Sequence, residues 1–220
     1  MRRLPVYILI DTSSSMRGEP IEAVKLGLNS LMESLCSDPY ALETVCVSII
    51  TYNTAAEQIV PLTEAYKLRI PNIEAKGRSA LGEALQLLVD RINVEVQKTT
   101  PEIKGDWKPL FFLLSDGGHN GPLAKPIAEL KKLKFGMMVA CAAGVNSHID
   151  ILRKITDNVV QISTTESVNI ASFFKWVSSS ISASSVKVND TEDRMTVNDL
   201  PPLPKELKVL RFNTITETES

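Results

Sequence analysis

Two short stretches hold residue types that could do chemistry together. The first is Asp11-Thr12-Ser13-Ser14-Ser15, a carboxylate followed at two-residue steps by two hydroxyls. The second is Ser115-Asp116-Gly117-Gly118, again a carboxylate, with glycines that let the chain turn behind it. Each closes an apolar run of strand type, Val6 to Ile10 in one case and Leu110 to Leu114 in the other. A third hydroxyl, Ser79, follows Gly77-Arg78 at the opening of a helical pattern. Oxygen-only donors of this kind suit a hard cation, Mg²⁺, Mn²⁺ or Ca²⁺, rather than zinc or copper. The chemistry is cation binding, on condition that the fold brings the three stretches to one place.

The elements between them make that condition testable. Pro20, Ile21, Val24, Leu28, Leu31 and Leu35 give an amphipathic helix over about 20–36. Val45 to Tyr52 reads as a strand buried on both faces. The short Asn53-Thr54-Ala55-Ala56 connection permits only an antiparallel return through Glu57 to Leu62, and Pro61 confines that strand to a sheet edge. Residues 63–76 are irregular. Ala80, Leu81, Ala84, Leu85, Leu88, Val89, Ile92 and Val96 form a long helix with Ser79 at its N-cap position. A polar loop covers 98–108. After Asp116 come a helix over Pro122–Lys134, a strand Met137–Ala143, a helix Ile149–Ile155 and a strand Val159–Ile162. A last helix, from Val168 through Ile181, runs out in the serine-rich stretch Ser178–Ser185.

Strands alternating with helices predict an α/β fold, a doubly wound and mostly parallel six-stranded sheet with one antiparallel edge strand and helices on both faces. In the common order 3-2-1-4-5-6 the first and fourth strands are neighbours where the winding reverses, and ligands bind outside their carboxyl ends. Asp11 ends the first strand and Asp116 the fourth. Neighbouring strands lie about 4.8 Å apart, so both acids face one cleft, where their repulsion invites a cation. Each residue alone has a plainer reading. An Asp after a strand is commonly a turn residue, and Ser13, Ser15 and Ser79 are commonly caps.

Bulk properties exclude other classes. The net charge of −2 gives no reason to expect nucleic acid or an anionic membrane as partner. No apolar run approaches the ~20 residues of a membrane span, and the start, broken by Pro5 and ended by Asp11, does not read as a signal peptide. Cys36, Cys46 and Cys141 lack metal-site spacing and read as buried thiols of a cytoplasmic protein. The expected organisation is one domain over 1–185 and a tail over 186–220. In that tail Pro201-x-x-Pro204 is either a polyproline ligand or part of an arm packed on the domain.

At these residues the sequence resembles the von Willebrand factor type A domains, whose metal-ion-dependent adhesion site uses Asp-x-Ser-x-Ser, a Thr from a second loop and an Asp from a third. Asp11, Ser13 and Ser15 match the first element, Ser79 stands in the Thr position, and Asp116 matches the third. The likeness covers about residues 4–182. It is closest to the TerY-like branch of bacterial tellurium-resistance clusters, through runs such as Gly18-Glu19-Pro20-Ile21-Glu22-Ala23-Val24 and Lys104-Gly105-Asp106-Trp107-Lys108-Pro109-Leu110. Ser14, Arg78-Ser79 and Ser115 depart from the usual Gly, Gly-Thr and Thr. A positive φ at Ser14 would strain the first loop.

The resemblance implies a Mg²⁺ site, with Mn²⁺ or Ca²⁺ as alternatives, that takes a Glu or Asp from another protein without performing a reaction. It also implies a role in tellurite, stress or phage resistance, beside a kinase or phosphatase of the same gene cluster. A Mg²⁺-dependent phosphatase would use the same cleft, but such chemistry wants a second acid two residues after Asp11, where Ser13 stands; His119 is its only nearby base, and His148 reads as a surface residue. A scaffold with a vestigial metal site is the third reading.

Overall fold

The apolar runs become strands because β-branched and aromatic residues fill both faces, which only a sheet covered on each side can accommodate. The computed structural model describes residues 2–144, 147–162, 166–190 and 200–211. In chain order the elements are β1 (Leu4–Asp11), α1 (Glu19–Ser37), α2 (Pro39–Thr44), β2 (Val45–Tyr52), β3 (Ala56–Glu64), α3 (Leu81–Glu95) and β4 (Leu110–Ser115). There follow α4 (Ala124–Lys132), β5 (Met137–Ala143), α5 (Ile149–Ile155), β6 (Val159–Ile162), α6 (Ser167–Asp190) and β7 (Leu207–Arg211).

The strands form one sheet in the order β3-β2-β1-β4-β5-β6-β7. β1 runs parallel to both β2 and β4, with Asp11 level with Tyr52 and Ile10 level with Leu114. The winding reverses at β1, so Asp11 and the residues after β4 share the crevice there. Pro5, a poor strand residue, sits one position before the β4 ladder begins at Val6.

Two apolar layers clamp the sheet. On one face Val6, Ile8, Ile10, Phe112 and Leu114 pack beneath α1 and α6, where Trp176 meets Phe112 edge to face at 6.5 Å. Gly27 of α1 lets the two helices close, since a Cβ there would collide with the Phe174 ring. On the other face Tyr7, Leu9, Tyr52, Phe111 and Leu113 pack beneath α3, α4 and α5.

Three expectations need revision. The sheet has a seventh strand: β7 pairs antiparallel with β6, so both edges are antiparallel rather than one. The preceding prolines masked it in the sequence. Its neighbour segment packs as an arm, with Trp176 Nε1 donating to the Pro201 carbonyl at 3.1 Å. Next, α6 does not run out at Ser178. It continues to Asp190, and its buried serine hydroxyls are satisfied by folding back onto the preceding turn, Ser180 onto Trp176 O at 2.8 Å and Ser184 onto Ser180 O at 2.6 Å. Finally, Cys46 and Cys141 are buried but Cys36 is exposed on α1.

Candidate metal centre

The first loop is built by Asp11 itself. Its Oδ1 accepts the Ser13 amide at 2.8 Å, which turns the chain sharply off β1 into a 3₁₀ turn over Ser14–Met16. Among the described residues only glycines have positive φ, so Ser14 carries none of the strain that a left-handed conformation would impose. Ser13 precedes the 3₁₀ turn without capping it by its side chain. Its hydroxyl stands instead 2.9 Å from that of Ser15.

The second loop is stitched to the first through backbone. Ser14 N donates to Gly77 O at 3.1 Å and Lys76 N to Thr12 O at 2.8 Å. Ser79 does not cap α3, whose N-cap is Ala80. Its hydroxyl reaches into the cleft, 3.1 Å from Asp11 Oδ2 and 2.7 Å from the Gly118 carbonyl. The third loop repeats the device of the first: Asp116 Oδ1 accepts the Gly118 amide at 2.7 Å. Gly117 has φ +76°, and a Cβ there would lie 2.6 Å from His148 O, so glycine is required on two grounds. His148 N secures the loop from α5 by donating to Asp116 O at 2.7 Å.

All five expected residues therefore converge. Ser15 Oγ donates to Asp116 Oδ2 at 3.0 Å, which joins the first and third loops, and Ser79 joins the second to Asp11. Asp11, Ser13 and Ser79 are buried, Asp116 is half-buried and Ser15 is exposed, so the cluster opens to solvent along its Ser15–Asp116 side. Burial pushes the Asp11 carboxyl pKa up. The Ser13 hydrogen bonds and the Ser79 hydroxyl pull it down, while the charge of Asp116 pushes it up again. Among the described residues neither acid has an ion-pair partner.

The donor set fits a small hard cation. Ser13, Ser15 and Ser79 offer neutral hydroxyl oxygens and Asp11 and Asp116 carboxylate oxygens, the donor types a hard cation takes. Among the described residues no group of three His, Cys, Asp or Glu side chains forms a metal cage. The cluster is thus one of hydroxyls with two acids, and not a carboxylate or thiolate nest.

Two participants escaped the sequence reading. Ser115 Oγ lies 3.4 Å from Asp11 Oδ2 and accepts the Gly117 amide at 2.9 Å. Tyr52, level with Asp11 on β2, is wholly buried beside it. Both were legible as polar ends of apolar strands on the Asp11 face. His119 is exposed, and opens a groove between α4 and α5 floored by Leu123, Ile127 and Ile151 and flanked by Lys131 and Lys154.

The family model for the von Willebrand factor type A domain matches residues 6–176. No curated protein matches by sequence. Among solved structures the chain is similar to a von Willebrand factor type A protein from Catenulispora acidiphila, with 19% identity, a TM-score of 0.65, and 83% of this chain and 43% of that one covered. It is similar to proximal thread matrix protein 1 of the mussel byssus at 19% identity and a TM-score of 0.58, covering 81% and 48%. It is also similar to the conserved hypothetical protein BatB from Bacteroides thetaiotaomicron at 18% identity and a TM-score of 0.58, covering 84% and 99%. The chain spans less than half the length of the first two of these, and at such identities the likeness concerns the fold.

Proposed function

The chain belongs to the von Willebrand factor type A family, and from that premise we propose that its cleft holds a divalent cation and offers it to a carboxylate of another protein. Domains of this family commonly serve as protein-interaction modules. Mg²⁺ is the ion we assign from the resemblance and the all-oxygen donor set, with Mn²⁺ and Ca²⁺ as alternatives. Ser13, Ser15 and Ser79 supply neutral oxygens directly, while Asp11 and Asp116 orient those hydroxyls and act through bridging water. A neutral inner set leaves the ion's charge largely uncompensated, so a Glu or Asp from the partner completes it at the open Ser15–Asp116 side. The groove beside His119, apolar below and basic at its rims, complements an acidic and partly apolar partner segment.

One observation carries this reading: five oxygen-bearing side chains from three loops join in one cluster whose two acids have no basic partner among the described residues. The phosphatase alternative is disfavoured because Ser13 occupies the position of the second acid. We place the protein in the cytoplasm, and no described helix is long and apolar enough to cross a membrane. Following the TerY-like resemblance, we assign it to a bacterial tellurite or stress resistance system, with a kinase or phosphatase of the same cluster as a natural partner. Two of its three thiols are withheld from tellurium chemistry: burial pushes Cys46 up to about 11 and Cys141 further still, which leaves both protonated, while Cys36 is exposed.

The test is thermal denaturation and calorimetric titration with Mg²⁺, Mn²⁺ and Ca²⁺ against EDTA, together with affinity capture of partners under the same conditions. The expected result is cation-dependent stabilisation and partner capture, both abolished in Asp11→Ala. Absence of cation-dependent stabilisation indicates a scaffold with a vestigial metal site, and turnover of a phosphomonoester with Mg²⁺ indicates the enzyme.

A further inference from the structure

Tyr52 closes β2 and is the ladder partner of Asp11, so the two side chains emerge from the same face of the sheet. The phenol is wholly buried in the layer formed with Tyr7, Leu9 and Ile50. Its hydroxyl makes no hydrogen bond of acceptable geometry among the described residues. An orphaned hydroxyl in such a place destabilises the fold, and a phenylalanine would fill the space without that cost. Tyr7, in the same layer, shows the ordinary solution: its hydroxyl donates to Glu95 Oε2 at 3.0 Å.

The polar surroundings of the Tyr52 hydroxyl are Asp11 and Ser115. A phenol carries its proton at neutral pH and so has one hydrogen bond to give. Asp11 has room to take it. Oδ1 is served by the Ser13 amide at 2.8 Å, but Oδ2 has only Ser79 at 3.1 Å and a long contact to Ser115 at 3.4 Å.

We propose that Tyr52 is a positioning residue of the cation site, its hydroxyl donating to the buried side of Asp11 so that this carboxylate stays turned toward the serine hydroxyls when a cation is held. The inference rests on the cation-binding reading above. It explains why an unsatisfied phenol is tolerated under the cleft: the cost falls on the empty protein and is recovered on loading, a local exchange of stability for affinity.

Tyr52→Phe removes one oxygen and keeps the ring. Two quantities are measured on the full chain: denaturant stability in EDTA, and the Mg²⁺ dissociation constant by calorimetry. The expected result is stability in EDTA equal to or above wild type, with Mg²⁺ affinity reduced about 10-fold, the low end for loss of a group that orients a metal ligand. Tyr7→Phe is the control, since it removes a satisfied hydroxyl from the same layer and should lose stability while keeping affinity. An unchanged Mg²⁺ constant in Tyr52→Phe, or a loss of EDTA stability like that of Tyr7→Phe, overturns the inference alone. A wild-type protein that binds no divalent cation overturns the cation reading and this inference with it.

Discussion

The two ends of the central strands meet the same physical problem and solve it differently. At the N-terminal end of β1, Arg3 grips both carboxylate oxygens of Asp106 through Nε and Nη2, at 3.0 and 2.6 Å, and a third hydrogen bond runs from Arg3 to Glu95 O at 2.8 Å. Gln97 N adds a donor to Asp106 at 2.8 Å. Glu95 takes Tyr7 on one oxygen and Gln58 on the other, at 3.0 and 2.8 Å, and Arg2 stacks 3.5 Å over the Trp107 ring. The hydrogen bond to Asp106 in turn raises the Arg3 pKa. At the C-terminal end two acids converge with hydroxyls and amides alone. The first end is electrostatically closed, and the second has room for one more positive charge. Buried polar groups that a fold leaves uncompensated mark where an outside charge belongs.

The largest expected effect comes from opening the closed end. Arg3→Ala strands Asp106, whose side chain is only 2% exposed, without its cation. Removing one partner of a buried pair costs about 3–5 kcal/mol, and the partial exposure of Arg3 points to the lower figure. Urea denaturation should show that loss with EDTA and with Mg²⁺ alike, because the affected charges lie at the far end of β1 from the cleft. If Arg3→Ala instead abolished the Mg²⁺ response, the two ends would not be independent.

Next in size is the converse experiment at the open end. A ligand that binds only the folded protein adds about 2.7 kcal/mol at a concentration 100 times its dissociation constant. Asp116→Ala removes the acceptor of the Ser15 hydroxyl and one of the two charges that call for a cation. It should erase that Mg²⁺-dependent increment and lower stability in EDTA only by about 1 kcal/mol, the loss of the Gly118 amide's hydrogen bond at a half-buried site. A thermal melt series against Mg²⁺ concentration decides it. An increment that survives Asp116→Ala would mean that the ion sits elsewhere.

The open end was the more legible of the two in sequence. Asp11, Ser13, Ser15 and Asp116 sit directly after apolar runs, and strand order follows from alternation of elements, so their meeting could be deduced. Ser79, whose hydroxyl lies beside Asp11, was assigned also to the cap of α3, a role that Ala80 holds instead. The closed end was not foreseen. It joins Arg3, in a chain start without periodic pattern, to the last residue of α3, Glu95, and to Asp106 in the loop beyond, about a hundred positions on. β7 was missed for a related reason: a strand at a sheet edge gains its identity from the neighbour it pairs with, and Leu207 to Arg211 has only one. Tyr52 read as one more aromatic in a buried strand, because its hydroxyl means something only beside Asp11.

The smallest effect is a pH dependence, and its sign separates the empty cleft from a filled one. In the empty protein the Asp11 carboxyl is raised above its ordinary value of 3.8, chiefly by burial. The folded state then holds a proton more tightly than the unfolded state. Asp11 accordingly subtracts stability above its folded pKa, and that loss is relieved as pH falls toward the unfolded value. With Mg²⁺ present the sign reverses, because protons compete with the ion for the charged form of Asp11. The gap between melting temperatures in Mg²⁺ and in EDTA should therefore narrow on going from about pH 7.5 to about pH 5, where other carboxylates of ordinary pKa remain ionised. In Asp11→Asn the gap should be small and the contribution of this position flat across the same range. A wild-type gap that stays constant with pH would mean that the ion draws nothing from the Asp11 charge. The open end would then bind its cation through the serines and Asp116 alone.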